Sequence, residues 1–387
     1  MLPTILRAGE VGLLALVGYN AITAIPGWRT PTRAPRSPGH QRFRVVIAAH
    51  DEAGVIGTLL DDLARLDYDA AFLTVWVIAD RCTDDTATIA RARGARVDER
   101  RTGPDGKGAV LREHLETNPL AEDEALVVID ADNRVPTDLL ARFADELAAG
   151  GHALQAYLDV ANPGASPLAT AGALSYWAGN RMVQLARTRL GWPADLGGTG
   201  MCLTGEALER SGGFGDSLTE DADLGARLAR VGIPVRWVHD VRIGDEKPTT
   251  VGVVIRQRAR WTAGRRGVAR RHALPLLGAA LRRGDGGLAD LALRLVQPGR
   301  TFVALVSGIL AVLAATVATE VLLHPGIWAA AAATQFFMPL AFLAREGVAP
   351  RYLWAYPLLL LLAALWVPVR IASRLTRGWY HTPHQGG

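Results

Sequence analysis

Cysteine is nearly absent: Cys82 and Cys202 are the only two among 387 residues. Two cysteines give neither a disulfide framework nor a Cys-x-x-Cys zinc pair, and they suit a reducing compartment such as the cytoplasm. No Gly-x-Gly-x-x-Gly follows the first apolar run, so dinucleotide oxidoreduction lacks its fingerprint. A Gly-x-Ser-x-Gly nucleophile elbow is missing too. His50 has no second histidine at metal-ligand spacing. The charge excess is only +4. No basic helix with interleaved aromatics stands apart, which argues against nucleic acid as a partner.

Apolar residues, by contrast, make up 49% of the chain, and the excess sits at its two ends. From Gly9 through Leu13 to Ile25 no charge follows Glu10. This is near the short limit of the about 17–25 residues that span a bilayer. No small-residue cleavage site follows, and Pro26-Gly27-Trp28 reads as an interfacial exit, so residues 1–28 are expected to be a retained transmembrane helix. Residues 29–43 form a linker carrying Arg29, Arg33, Arg36 and Arg42 among Pro31, Pro35 and Pro38. By the positive-inside rule the part that follows is cytoplasmic. Residues 266–300 read as interfacial helices, because Arg282-Arg283-Gly284 interrupts their apolar pattern. Three further spans are expected within 301–371, over 301–323, 327–344 and 352–369, the last flanked by Trp354, Tyr356 and Trp366. Residues 372–387 form a tail. Arg345 and Arg351 then fall in a cytoplasmic loop, whereas Arg374 and Arg377 in the tail oppose that topology.

Between these ends, from 44 to 265, strands alternate with helices. Val45–Ala49, Val75–Ala79, Leu126–Ile129 and Leu154–Val160 are runs of strand type, and Ile56, Leu59, Leu60, Leu63 and Leu66 recur at helical spacing. Alternation of this kind implies an α/β fold with a parallel sheet, whose ligands bind beyond the C-terminal strand ends. The first three strands end in Asp51-Glu52, Asp80 and Asp130/Asp132, so their carboxylates should share one crevice.

A carboxylate pair such as Asp130 and Asp132 suits a hard divalent cation, Mg²⁺ or Mn²⁺, set against a diphosphate. Residues 130 and 132 share a face if the strand continues through them. Otherwise Asp130 caps the next helix and Asp132 is a solvated turn residue. Asp221 in Thr219-Glu220-Asp221 is a candidate general base, although Thr219 as N-cap with acids in the first turn is also ordinary helix-start chemistry. Gln257, Arg258, Arg260 and Trp261 lie on a helix expected from Thr250. There Arg can fork onto phosphate and Trp can stack on a sugar, or the helix can simply lie on an anionic membrane. Lys107 in Gly106-Lys107-Gly108 sits in a glycine turn within reach of a phosphate or base.

These motifs, in this order from Val45 to Trp261, resemble the membrane-bound family 2 glycosyltransferases of GT-A fold, as in cellulose, chitin, hyaluronan and poly-N-acetylglucosamine synthases. The resemblance implies a mixed, mainly parallel sheet flanked by helices, with about four transmembrane helices. It implies an inverting transfer from a UDP-sugar in which Asp221, beside Glu220, deprotonates the acceptor. Asp132, with Asp130, would hold the metal. Asp51, Glu52, Asp80, Lys107 and Asp130 would bind the nucleotide sugar with Gln257, Arg258 and Arg260, while Gly198, Thr199 and Trp261 would face the acceptor. Asp51 departs from the family, which usually has Asn there.

The Gln-x-x-Arg-Trp cluster favours processive or oligomer-forming polysaccharide synthesis at the inner membrane. The small number of C-terminal helices favours instead a single addition to a lipid acceptor. A non-catalytic, membrane-tethered nucleotide-binding subunit would be expected to lose its carboxylates, and an accessory protein partner is compatible with either enzyme.

Overall fold

The computed structural model describes residues 2–37 and 41–375. Residues 38–40 of the expected linker, with Pro38, and residues 376–387 of the expected tail, with Arg377, lie outside the described residues. Seven strands form one sheet: β1 (Arg42–Ala49), β2 (Leu73–Asp80), β3 (Arg96–Arg100), β4 (Glu124–Val128), β5 (Ala153–Val160), β6 (Met201–Thr204) and β7 (Arg236–Asp245). Their spatial order is β3-β2-β1-β4-β6-β5-β7. The strands β3, β2, β1 and β4 run parallel, β6 runs antiparallel to both β4 and β5, and β7 is parallel to β5. The sheet is therefore mixed and mainly parallel, as expected.

The helices of this region are α2 (Ile56–Leu63), α3 (Thr86–Ala92), α4 (Lys107–Thr117), α5 (Leu139–Ala148), α6 (Pro167–Gly179), α7 (Ala186–Arg189), α8 (Gly205–Ser211) and α9 (Glu220–Arg230), preceded by α1 (Leu2–Ala24). Side chains alternate across a strand, so β1 serves two cores at once. Val45 and Ile47 pack with Ile56 and Leu59 of α2 and Leu140 and Phe143 of α5. Val46 joins the opposite cluster, with Leu174 of α6 and Leu224 of α9. All of these side chains are fully buried, each worth roughly 1.5–3 kcal/mol. Because β1 pairs in parallel with both β2 and β4, the three strands end at one edge of the sheet, with their carboxylates side by side.

The chain continues with α10 (Val251–Arg283), α11 (Gly286–Val296), α12 (Arg300–Thr316), α13 (Pro325–Glu346), α14 (Leu358–Ala364) and α15 (Trp366–Leu375). Among the described residues, Thr4–Trp28 and Pro325–Glu346 are long and apolar enough to cross a membrane, and two bent pairs raise the number to as many as four. The alanine-rich segment thus forms one unbroken helix. The 352–369 segment does not: a 3-10 turn and α14 meet α15 at a 45° bend. Pro368 explains the break, since it has no N–H for the carbonyl of Ala364 and its ring crowds that turn. The helix expected over 301–323 stops at Thr316, and it pairs with α11 across a 67° bend. A single helix, α10, runs through the expected boundary at residue 265.

Pro26-Gly27-Trp28 forms the 3-10 turn that ends α1. A Cβ on Gly27 would collide with the Arg181 carbonyl, so glycine is what lets this turn seat against the catalytic region. Deeper contacts fix α1 as well. Arg187 pairs with Asp290 of α11 at 3.0 Å and donates to Thr23 Oγ1 at 3.1 Å, and Tyr19 donates to the same Asp290 carboxylate.

Candidate active site

A cavity of about 510 Å³ opens at the edge where β1, β2 and β4 end. Glu52, Asp80, Lys107, Asp130, Asp132, Gly198, Thr199, Glu220, Asp221, Gln257, Arg260 and Trp261 all line it, so twelve residues spread over the chain converge on one space. The expected convergence of strand-end carboxylates on one crevice thus holds for Glu52, Asp80, Asp130 and Asp132, and not for Asp51.

At one end the first two strands make a tight turn. Asp51 and Arg81 both have left-handed backbones, φ 53° and 52°. Asp51 accepts from Thr83 N at 2.6 Å, and Asp84 accepts from Ala53 N at 2.9 Å. Asp tolerates the left-handed region nearly as well as Asn, so its carboxylate holds the turn that Asn holds in the family. Asp51, Cys82 and Asp84 are also the one group of potential metal ligands gathered within 4.8 Å among the described residues. Their oxygens are already engaged by these turn donors, and Asp51 does not line the cavity. Asp80 lines it, but Arg100 at 2.7 Å and Arg81 at 2.8 Å hold its carboxylate.

In the middle of the cavity, Lys107 is the first residue of α4 rather than part of a loose turn. Its ammonium pairs with Asp130 and donates to Gly198 O at 2.8 Å. Gly108 allows this, because a Cβ there would collide with the Gly215 carbonyl and with Glu220. Burial works against the Lys107 charge, but Asp130, Glu220 and Asp221 outweigh it and raise its pKa. Asp130 caps no helix: its N–H donates to Thr199 Oγ1 at 3.0 Å. Thr199 is 3% exposed and donates in turn to Asn133. From the cavity wall it braces the Asp130–Asn133 turn, while Asn133 donates to Asp132 at 3.1 Å.

Opposite lies the start of α9. Thr219 makes no capping bond, and its hydroxyl is buried without a partner. A Cβ on Gly264 would collide with the Thr219 side chain, so glycine is what lets α10 pass this close to the start of α9. Glu220 is buried, and Asp221 beside it is half-buried. Burial first, and the neighbouring Asp221 charge second, push Glu220 up to about 7. Burial also raises Asp221, against the pull of its own helix N–H groups, Arg265 and Lys107. A carboxylate raised toward neutrality can exchange protons, which is what a general base needs.

Gln257, Arg260 and Trp261 sit three and four residues apart and so share one face of α10, turned to the cavity. Arg258 falls on another face and is not part of the lining. The helical offset between 258 and 260 separates two arginines that look equivalent in sequence. Arg260 Nε is buried without a partner. Tyr176 of α6 and the 245–250 segment complete the wall; Lys247 pairs with Asp245 and stands 3.7 Å from the Tyr176 ring centroid. Nothing in the spacing announced these two. Asp195 was also unannounced, and Arg294 of α11 holds it.

The profile described as "Glycosyltransferase like family 2" matches residues 40–264. A beta-monoglucosyldiacylglycerol synthase of Nostoc sp. is 29% identical over 231 residues, covering 57% of this chain and 48% of that protein. One from Synechocystis sp. is 29% identical over 272 residues, covering 65% and 54%. The chain spans about half the length of these curated relatives. Among solved structures, a mannosyltransferase from Pyrobaculum calidifontis, in complex with GDP-Man and Mn2+, is 20% identical with a TM-score of 0.57. That match covers 93% of this chain and 97% of the other, a likeness of fold.

Proposed function

The chain belongs to the glycosyltransferase family 2-like proteins, and on that premise we propose that it moves a sugar from a UDP-sugar to the hydroxyl of a lipid acceptor, with inversion, in a single addition. The observation that carries this reading is the shared wall of the cavity. Tyr176 lines the cavity from α6, and α6 packs against α13, α14 and the 3-10 turn between them, where Trp177 meets Tyr352 at 5.6 Å between ring centroids. An acceptor arriving along the apolar helices reaches the carboxylates without leaving the protein surface. The glycolipid products named for the two cyanobacterial relatives support the same acceptor class, and with it the lipid reading over polysaccharide synthesis.

In the proposed reaction the acceptor oxygen attacks the anomeric carbon from the Asp221 side, and Asp221 takes its proton. The carbon–oxygen bond to the diphosphate breaks and UDP leaves. Arg260, with its buried unpartnered Nε, and Lys107 would stabilise the charge on the departing diphosphate. Trp261 would stack on the sugar ring and Gln257 would orient it. Asp130 already faces the Lys107 ammonium and Asp132 accepts from the Asn133 amide, and two such hard carboxylate oxygens fit a divalent cation, so Asp132 with Asp130 would hold Mg²⁺ or Mn²⁺. When bound, that ion supplies electrostatic stabilisation of the leaving diphosphate. Retention of every carboxylate in the cavity weighs against a non-catalytic subunit. The catalytic part, proposed at 44–265 with α10 continuing beyond it, would lie on the cytoplasmic face of the cell membrane.

The test is product identification. The full chain in mixed micelles is given a UDP-sugar panel with diacylglycerol or with oligosaccharide acceptors, and the products are analysed by mass spectrometry. A glycosyl-lipid carrying one sugar supports the proposal. A ladder of oligosaccharides would restore the processive reading.

A further inference from the structure

A second cavity, of about 440 Å³, lies at the opposite end of α9 from Glu220 and Asp221. It is lined by Ser211, Arg227, Arg230, Val231, Leu274, Pro275, Gly278, Ala279, Arg282 and Arg283: four arginines and no acidic residue. An eleven-residue helix separates the two ends of α9 by about 15 Å, so this is not an annex of the catalytic cavity.

The internal ties of these arginines account for only part of their donors. Arg227 Nε binds Asp223 at 2.8 Å and Nη1 donates to Ser211 O, yet Nη2 is buried with no partner. Arg283 donates to Arg230 O at 3.1 Å, where it closes the end of α9. Arg230 and Arg282 are exposed and enter no ion pair among the described residues. Asp223, the acid that Arg227 binds, is shared with Arg271 and His272, so its charge is spent within the protein. What remains is a concave cluster of guanidinium groups in need of an anion, and phosphate oxygens match their fork geometry best.

The surroundings say where that phosphate comes from. Leu274, Leu277 and Leu281 are 78%, 42% and 78% exposed and form one stripe along α10. Water is a poor environment for three such leucines, and a basic rim beside an apolar stripe is the pattern of a helix lying in a membrane interface. The place in the chain agrees. Immediately after α10, α11 folds back on it, and α11 with α12 is one of the bent pairs able to enter a bilayer.

We infer that this arginine cavity binds the phosphate of an anionic phospholipid headgroup, with the Leu274–Leu277–Leu281 stripe seated among its acyl chains. The site is independent of the catalytic reading and stands if that reading fails. Its role is to hold the α10–α11 hairpin, and with it α9, against an anionic membrane surface.

The experiment uses the full chain in neutral detergent, titrated with phosphatidylglycerol, phosphatidylcholine or inorganic phosphate, with lipid retention read by native mass spectrometry. Phosphatidylglycerol should be retained in clear preference to phosphatidylcholine. Arg230→Gln with Arg282→Gln, both exposed and outside every ion pair, should weaken retention roughly 30-fold, from about fivefold per arginine. Leu274→Gln with Leu281→Gln should weaken phosphatidylglycerol and leave inorganic phosphate untouched. Equal retention of the two lipids, or an arginine pair variant that binds as wild type does, would overturn the inference. Leucine variants with undiminished phosphatidylglycerol binding, displaced by inorganic phosphate, would also overturn it and make this a soluble-phosphate site.

Discussion

Lys107 binds Asp130 and the carbonyl oxygen of Gly198 with one ammonium, and so joins the start of α4, the end of β4 and the loop facing Asp221. Three carboxylates depend on that single charge, because it also lies close enough to Glu220 and Asp221 to lower both. Replacement by methionine removes the cation and keeps most of the volume. The Lys107→Met enzyme should lose at least about tenfold in kcat/KM for the donor. The acidic limb of its pH–rate profile should move to higher pH, since Glu220 and Asp221 then ionise less readily. A profile superposable on wild type would show that the Lys107 charge does not act on these carboxylates.

The buried Glu220, beside Asp221, gives stability a sign with pH. The folded protein holds Glu220 near 7 against an ordinary value of 4.5, so it binds more protons than the unfolded chain across that interval. Stability from this group is present below pH 4.5 and is lost as pH rises toward 7, a change on the order of 3 kcal/mol. Thermal melts of Glu220→Gln should accordingly be flatter than wild type between pH 5 and about 7.5. Parallel curves would deny the pair its perturbed proton.

Arg294 holds Asp195 and, at 2.7 Å, Asp290; the Arg294 and Asp290 side chains are 4% and 0% exposed. Its loss leaves two carboxylates without their shared cation. Removal of one partner from a buried pair costs about 3–5 kcal/mol, so Arg294→Met should lower the melting temperature sharply. Because Asp290 also receives Tyr19 and Arg187, proteolysis of α1 should accelerate in the same variant. A melting temperature within a degree or so of wild type would mean these charges are solvated.

Chelation should abolish turnover, and Mn²⁺ or Mg²⁺ should restore it. Asp132→Asn and Asp130→Asn should each weaken UDP-dependent Mn²⁺ binding by tenfold or more, measured by calorimetry. Unaltered binding in both would move the metal elsewhere, with the Asp51–Cys82–Asp84 turn as the first place to look.

Much of this arrangement was legible before any coordinates. The strands that carry the site, β1, β2 and β4, are buried on both faces and so read as unbroken apolar runs ending in acids. The strands that escaped notice are the edges and a short insert. Arg96–Arg100 is largely charged because an edge strand tolerates charge, β7 alternates at the other edge, and β6 has four residues. Helical phase could have separated Arg258 from Arg260, since only residues 257, 260 and 261 share a face. The Arg187–Asp290 and Arg294–Asp195 pairs could not be foreseen, because each joins positions about a hundred residues apart through tertiary packing alone. The bracing role of Thr199 was likewise invisible in the sequence: it lines the cavity, and its hydroxyl bonds to the Asp130–Asn133 turn.

The central claim is that Asp221 takes the acceptor proton, and UDP release tests it most directly. Wild type and Asp221→Asn would be compared in micelles with one UDP-sugar, diacylglycerol and Mn²⁺, with donor binding measured alongside. The account predicts acceptor-dependent release by wild type, and a loss of about 10²–10⁴-fold in the variant while donor affinity is kept. Release by Asp221→Asn within a few-fold of wild type would contradict it.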